Sequence, residues 1–437
     1  MFVSKRNLFF KSKENGYLLF CGNSNSFYQV DEENVPHVQK MFDTGDDSEL
    51  PEDIKKEFIK SGVLLPESDE ERFKRLQLLS FMSRFNSNEM YITIAPTMAC
   101  NFKCVYCFEG NRTQNISMSK EVMDGIIEFI KKRDCKVVNL SWFGGEPLCA
   151  FDKIMYLSEK IKELKIPVLN QEMITNGSLL DENKIEFLIN NNITRLQITL
   201  DGDEKMHNLK RPMKNGGNSY QAVMTALDKI YHYYTEKGKK ISTNIRVNVD
   251  KNNVDLFHTI YDDLNNKYNH FFYVYPAFIS KESEQDCHAE SCLNDQDSSE
   301  FILELAQKYS IRAVDLYPLR NRLMYCGVNR INMYLIGCNG DIYRCYEDIN
   351  IQEKRIGNVL TGIKDINNVI QKEVMESSGF EDEQCKECLF LYSCMGGCPK
   401  KRIMNRKLNK QLNPVCTSIK NKPQEYLEAY YKIKQAK

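Results

Sequence analysis

The sequence predicts an α/β protein. Its centre is a curved, mainly parallel sheet, a partial (β/α)6 barrel, with a small N-terminal module before it and a cysteine-rich segment after it. Three observations predict this. Over 90–278, six apolar strand-like segments alternate with helix-like ones, the pattern of parallel βαβ units with right-handed crossovers. Residues 1 to about 85 carry a different pattern of short strands and two short helices. Over 326–416 regular structure is sparse and cysteines are dense.

The N-terminal elements come first. NLFFKSKENGYLLFCG and SNSFYQV read as strands with a turn at Glu14, Asn15 and Gly16. EENVPHVQKMFDTG and PEDIKKEFIKSG read as short helices, the second with Pro51 near its start and Gly62 at its end. VLL follows as a short strand. Strands around two short helices suggest a winged-helix-like module. The acidic, polar stretch 66–72 reads as a linker or a helix start.

In the barrel, YITIAP, VVNLSWF, PVLNQEMITN, RLQITLDG, ISTNIRVNV and FFYVYPAF are strands. Between them SKEVMDGIIEFIKKR, 152–164, DENKIEFLINN, 219–236 and NVDLFHTIYDDLNN are helices. Residues 281–300 read as a polar loop, 300–325 as helical and KPQEYLEAYYKIKQ as a terminal helix. The expected domains are therefore 1–85, 90–280, a bridging segment 281–325, a cysteine-rich domain 326–420 and a final helix 421–437.

Composition narrows the function. The 437 residues carry 59 basic and 60 acidic side chains, a net charge of −1, which argues against a mainly electrostatic binder of nucleic acid or anionic membrane. Mean hydropathy is −0.49 and no apolar run approaches ~18 residues, so no membrane span is expected. Charges interrupt the apolar N-terminus, which does not read as a signal peptide. The outlier is cysteine, with 16 residues. In the reducing cytoplasm expected for this chain, metal-bound thiolates are a better default than disulfides.

Cys100, Cys104 and Cys107 follow the first barrel strand, where parallel α/β sheets place their sites. Three thiolates on one loop suit an iron–sulfur cluster and leave one iron of a four-iron cube open. A zinc site built on Cys104 and Cys107 is the alternative. This triad, with Tyr106 before its last cysteine, resembles that of radical SAM enzymes. SWFGGEP, ending the second strand, is similar to the family's Gly-Gly-Glu segment at Gly144, Gly145 and Glu146. ITNGSLL and LQITLDG end the next two strands, again as in the family. The resemblance implies that Tyr106, Gly144, Gly145 and Glu146 bind S-adenosylmethionine. It also implies that Thr199 lies near the ribose and that Arg211 meets the cofactor carboxylate; the bland alternatives are a strand filler and a surface arginine. His207 reads as structural. The implied chemistry is reductive cleavage of S-adenosylmethionine and hydrogen abstraction from an unactivated carbon. A reductase or a flavodoxin-type protein would supply the electron.

Cys326, Gly340, Cys345, Cys385, Cys388, Cys394, Cys398 and Cys416 reproduce the spacing of the SPASM extension of radical SAM enzymes. That resemblance implies two auxiliary [4Fe-4S] clusters, three clusters in all. Cys326, Cys345 and Cys398 would hold the first, and Cys385, Cys388, Cys394 and Cys416 the second. Either Cys338 completes the first set or that cluster keeps an open iron able to bind a substrate thiolate. A structural zinc ribbon is the alternative. The remaining Cys21, Cys135, Cys149, Cys287 and Cys292 read as small hydrophobes, Cys287 and Cys292 less firmly because they lie in a polar loop.

SPASM enzymes mostly modify peptides or proteins, and the N-terminal module resembles the recognition element of ribosomal-peptide maturases. There the leader of a precursor peptide adds as a strand to a sheet edge. A capping or oligomerisation role is the alternative. The resemblance points to a peptide maturase that installs a thioether or carbon–carbon crosslink. Anaerobic sulfatase maturation, which makes formylglycine, is the second reading. Those enzymes carry an Asp base directly after the cysteine at the Cys345 position, where this chain has Tyr346. Tyr346 and Asp348 are the candidate catalytic residues. A non-enzymatic electron carrier is the third reading, and the intact triad argues against it.

Overall fold

The structure, a computed structural model, describes residues 1–109, 115–279, 290–311, 322–363, 366–408 and 415–435. The chain divides into two compact units. One comprises Met1–Asn86, Ser299–Ile331 and Asn367–Lys437; the other comprises Ser87–Ser298 and Asn332–Ile366. The segment 326–420, expected as one cysteine-rich domain, contributes to both.

The first unit opens with β1 (Phe2–Val3), β2 (Asn7–Lys11), β3 (Tyr17–Cys21), β4 (Ser26–Val30), α1 (Val35–Thr44), α2 (Glu52–Ser61), β5 (Leu64–Leu65) and α3 (Asp69–Arg84). β2, β3 and β4 form an antiparallel sheet, and β1 pairs with β5. Gly62 closes α2 in the left-handed conformation at φ +79°, as its position after the apolar run requires. The stretch 66–72 is a helix start: the Ser68 hydroxyl accepts from the Glu71 amide while Glu71 reaches back, a reciprocal cap. One face of the sheet carries Leu19, Cys21 and Val30 into a core with Val38, Met41 and Phe58 of α1 and α2.

The second unit is built on β6 (Glu89–Ile94), α4 (Lys120–Lys132), β7 (Val137–Trp142), α5 (Phe151–Glu163), β8 (Val168–Thr175), α6 (Glu182–Asn190), β9 (Arg195–Thr199), α7 (Glu204–Lys210), α8 (Ser219–Lys237), β10 (Ser242–Val249), α9 (Phe257–Tyr268) and β11 (Tyr273–Phe278). These strands lie side by side in sequence order and are all parallel. Alternate residues such as Ile92, Leu140, Leu196 and Ile245 are buried, the two-residue period of a strand. α7 is an addition to the expected helices; Asp203 caps it from the loop after β9.

After α10 (Asp295–Tyr309) the chain returns with β12 (Met333–Ile336), β13 (Asp341–Tyr343), β14 (Gly357–Asn358) and β15 (Gly362–Ile363). β12 pairs parallel to β6, and the others follow antiparallel, so the cysteine-rich segment extends the barrel sheet to ten strands. Gly340, at φ +84°, makes the turn between β12 and β13. The chain ends with α11 (Ile366–Glu376), α12 (Glu383–Lys386), α13 (Leu391–Cys394), α14 (Pro399–Leu408) and α15 (Pro423–Gln435), all in the first unit apart from Ile366. α15 and Phe390 cover the second face of the N-terminal sheet: Tyr431 stacks on Phe27 at 5.4 Å, and Phe390 lies 5.8 Å from Phe20.

Candidate functional site

The cysteine loop leaves the C-terminal end of β6 and is gripped from two sides. The Gly145 and Glu146 amides donate to the Thr97 and Ala99 carbonyls at 3.1 and 2.9 Å. The Lys103 and Val105 amides donate to the Pro212 and Lys210 carbonyls at 2.8 and 2.9 Å, and the Lys214 amide to that of Asn101. A Cβ on Gly145 would stand 2.4 Å from the Met98 oxygen, and one on Gly144 (φ +109°) 2.4 Å from that of Thr97. The glycine pair therefore admits the chain's own cysteine loop at close range.

Burial pushes the Cys100 thiol up to about 12, and Glu146, Cys104 and Cys107 add to the rise. Burial likewise pushes Cys107 up to about 12, with Glu109 and Cys104 contributing. The three thiols thus lie within one another's electrostatic reach. The Phe102 amide donates to Cys100 Sγ at 3.4 Å, which supports a thiolate there. Among the described residues, no group of three or more His, Cys, Asp or Glu side chains is arranged to hold a metal ion. A cubane is larger than a single ion and takes thiolates that stand further apart, so three converging cysteines on one short loop fit it.

Glu146 is 1% exposed. Its carboxylate accepts from Thr175 Oγ1 at 2.7 Å, the Asn176 amide at 2.7 Å and the Leu148 amide at 3.0 Å. Burial raises its pKa, partly countered by those donors. Asn176 in turn donates through Nδ2 to Asn101 Oδ1 at 2.8 Å, and so the third strand end also braces the cysteine loop. Tyr106 points away from solvent into a polar knot. Its hydroxyl donates to the Asp201 carboxylate and accepts from Arg211 Nη1 at 2.6 Å and Asn248 Nδ2 at 2.9 Å. Arg211 also lies 3.7 Å from Asp201, with both side chains buried. Its guanidinium is thus engaged within the fold, where the resemblance implied a cofactor carboxylate. Asp201 and Asn248 escaped the sequence reading; Asp201 sits in the Leu-Asp-Gly segment after β9, and Asn248 gave no signal of its own. Thr199 is buried on the inner face of the sheet, beside Arg246 of β10. His207 is fully buried, and its Nδ1 accepts the Asp201 amide at 3.2 Å. Burial, then the nearby Arg211, pushes its pKa well down, so it is neutral and structural.

Below the loop, the inner sheet face is polar. Ser141 donates to Glu172 at 3.2 Å, and Tyr275 to Gln197 at 2.8 Å. Tyr346 joins this face: its hydroxyl lies 3.2 Å from Thr93 Oγ1 and 3.5 Å from Ser141 Oγ, and its ring meets Phe143 edge-on. Asp348 is half-buried in the turn after Cys345.

The first unit brings Cys385, Cys388, Cys394 and Cys416 together. Burial raises the Cys394 thiol, and Cys388 and Cys416 raise it further. Burial also pushes Cys385 up to about 11, with Cys394 among its neighbours. Cys326 and Cys398 belong to the first unit, and Cys338 and Cys345 to the second. Cys338 is 3% exposed, with the Met98 backbone as its hydrogen-bonding neighbour. Cys21, Cys135 and Cys292 are buried, Cys149 is exposed, and Cys287 lies outside the described residues. Among those residues, no helix is long and apolar enough to cross a membrane.

Comparison with known proteins follows the same line. The cysteine-type anaerobic sulfatase-maturating enzyme of Clostridium perfringens (strain 13 / Type A) is 26% identical over 349 residues, 74% of this chain and 91% of that protein. The serine-type enzyme of Bacteroides thetaiotaomicron is 24% identical over 362 residues, 72% and 83%. The solved structure of native anSMEcpe with bound AdoMet and Kp18Cys peptide covers 80% of this chain and 99% of its own, with TM-score 0.61 and 19% identity. Streptococcus suis SuiB bound to precursor peptide SuiA covers 95% and 99%, with TM-score 0.53 and 17% identity. At such identities the two structures speak for the fold. Residues 94–264 match the family model of the Radical SAM superfamily. The domain that begins in β6 and carries the cysteine loop is thus a Radical SAM superfamily domain.

Proposed function

We propose that this radical SAM enzyme modifies a ribosomal precursor peptide, installing a thioether or carbon–carbon crosslink. The observation that carries the reading is the N-terminal sheet. Its two faces are covered, one by α1 and α2 and the other by Phe390 and Tyr431. β2 and β4 remain its edges, and an added leader strand has backbone hydrogen bonds to make there. The polar inner face of the barrel suits a peptide side chain held below the cysteine loop.

Cys100, Cys104 and Cys107 would hold the radical SAM cluster. With S-adenosylmethionine bound, that cluster supplies reductive cleavage of the sulfonium and hydrogen abstraction. Gly144, Gly145 and Glu146 brace the loop and the third strand end; Tyr106 and Arg211 lock it to β9 and β10. Cys385, Cys388, Cys394 and Cys416 would hold one auxiliary cluster. The sequence spacing assigns Cys326, Cys345 and Cys398 to the other, with Cys338 either completing that set or leaving it an open iron. A reductase or flavodoxin-type electron donor and a cytoplasmic setting complete the reading.

Sulfatase maturation is the second reading, favoured by the names of the curated relatives. Against it stands Tyr346, a phenol where those enzymes carry an Asp base. The test is anaerobic reconstitution followed by mass spectrometry of two peptide sets. Short peptides encoded beside the gene should lose two hydrogens and gain an internal crosslink. Conversion of a sulfatase-type cysteine peptide to formylglycine, with no crosslinking of the others, would overturn the first reading in favour of the second.

A further inference from the structure

Two cations reach the sulfurs of the second auxiliary site. Arg402 Nη2 lies 3.3 Å from Cys385 Sγ, and Lys420 Nζ lies 3.6 Å from Cys416 Sγ. The surrounding sequence is one-sided. From Cys388 to Gln424 there is no Asp or Glu, while Lys400, Lys401, Arg402, Arg406, Lys407, Lys410, Lys420 and Lys422 all fall there. Carboxylates from elsewhere offset part of this: Glu300 lies 3.9 Å from Lys422, and Asp382 pairs with Arg402 Nη1 at 2.5 Å and accepts the Cys385 amide at 3.0 Å. Arg402 also holds the Gly396 carbonyl, at 3.2 Å through Nε and 2.6 Å through Nη2, so its charge is shared and its place is structural. Among the described residues the groups that act on Lys420 are the thiols of Cys416, Cys388 and Cys385, and it lies at the surface with Cys416.

A donor or cation at a cluster sulfur favours the more negative, reduced state of the cluster and so raises its potential. We propose that Lys420 is a positioning residue that sets the second auxiliary cluster at a raised reduction potential and so fits it to take up an electron. The inference rests on the reading that Cys385, Cys388, Cys394 and Cys416 hold a cluster. The step involved is a one-electron reduction of that cluster by the peptide radical that hydrogen abstraction leaves in the proposed reaction; that radical is oxidised and loses a proton as the crosslink closes, with no bond made or broken in the protein.

The test is an anaerobic redox titration of the reconstituted full chain, followed by electron paramagnetic resonance. A background with Cys100, Cys104 and Cys107 replaced by Ala removes the overlapping radical SAM signal. Lys420→Met should keep the iron and sulfide content of its parent and move one midpoint to a more negative potential. Lys420→Arg should restore it. An unmoved midpoint at equal iron would overturn the proposal. So would loss of iron from Lys420→Met, which would make the lysine a holding group and not a tuning one. Failure of the underlying assignment reads differently: joint replacement of Cys385, Cys388, Cys394 and Cys416 by Ala would then leave the iron content unchanged.

Discussion

Arg211 Nη1 donates to the Tyr106 hydroxyl at 2.6 Å, and this contact ties the residue between the last two cysteines of the loop to the end of α7. The same hydroxyl serves Asp201 and Asn248, so four side chains share one buried knot. Tyr106→Phe should cost about 1–3 kcal/mol of stability, because it leaves buried polar groups without their partner. Denaturant unfolding at equal iron content measures it. Arg211→Met should lose stability together with cluster retention. Loss of S-adenosylmethionine affinity at unchanged stability would instead show Arg211 serving the cofactor.

Gly145 faces the Met98 and Ala99 carbonyl oxygens, at 2.4 and 2.6 Å from where a Cβ would stand. Neither is the end of a flexible side chain, so the backbone of the cysteine loop must move. Gly145→Ala should destabilise by about 2–3 kcal/mol and lower the iron held at Cys100, Cys104 and Cys107. Iron analysis with cofactor-cleavage assays checks this. Full iron and cleavage would mean that the loop position is not set here.

His207 gives a pH signature. Its folded pKa is pushed well below 6.5 by burial and Arg211. The unfolded chain therefore binds a proton that the fold refuses, and stability is lost as pH falls below about 6.5. His207→Asn keeps an acceptor for the Asp201 amide and removes the titration. Its unfolding free energy should fall less than that of the parent between pH 7.5 and 5.5. Parallel curves would refute the assignment.

The barrel was legible in the sequence because its strands and helices alternate with clear periods. The glycine pair was found, but the backbone it approaches was not. A one-dimensional pattern shows that a close approach is needed, and only the fold shows that the approaching backbone is 97–99. The pairing of β12 with β6 was hidden for a different reason: the partners are more than two hundred residues apart. α3 went unread beyond its start because charged residues and Leu78, Leu79 and Met82 mix around it without one apolar stripe, and all three remain exposed. Asp201 and Asn248 carry no motif of their own and acquire meaning only through Tyr106.

The N-terminal module also bears on the second auxiliary site. A Cβ on Gly22 would stand 2.1 Å from the Leu389 carbonyl oxygen, next to Cys388. Arg6 reaches the same segment: its Nη2 donates to the Lys386 carbonyl at 2.6 Å, and its guanidinium lies 4.7 Å from the centre of the Tyr392 ring. The module is therefore packed on the loop that carries Cys385 and Cys388. Deleting it cannot act as a simple removal of peptide binding, because the deletion also strips cover from Phe390, Tyr392 and Tyr431. Gly22→Ala makes the gentler probe. It adds one methyl group against a backbone carbonyl, so the module or the cysteine loop must shift. We expect a lower unfolding midpoint and loss of up to one cluster's iron per chain. Reductive cleavage of S-adenosylmethionine at the separate Cys100, Cys104 and Cys107 site should persist. Iron per chain and 5′-deoxyadenosine formation, measured on the same preparation, separate these effects. If Gly22→Ala retains its full iron and midpoint, the contact with Leu389 does not constrain the cluster loop.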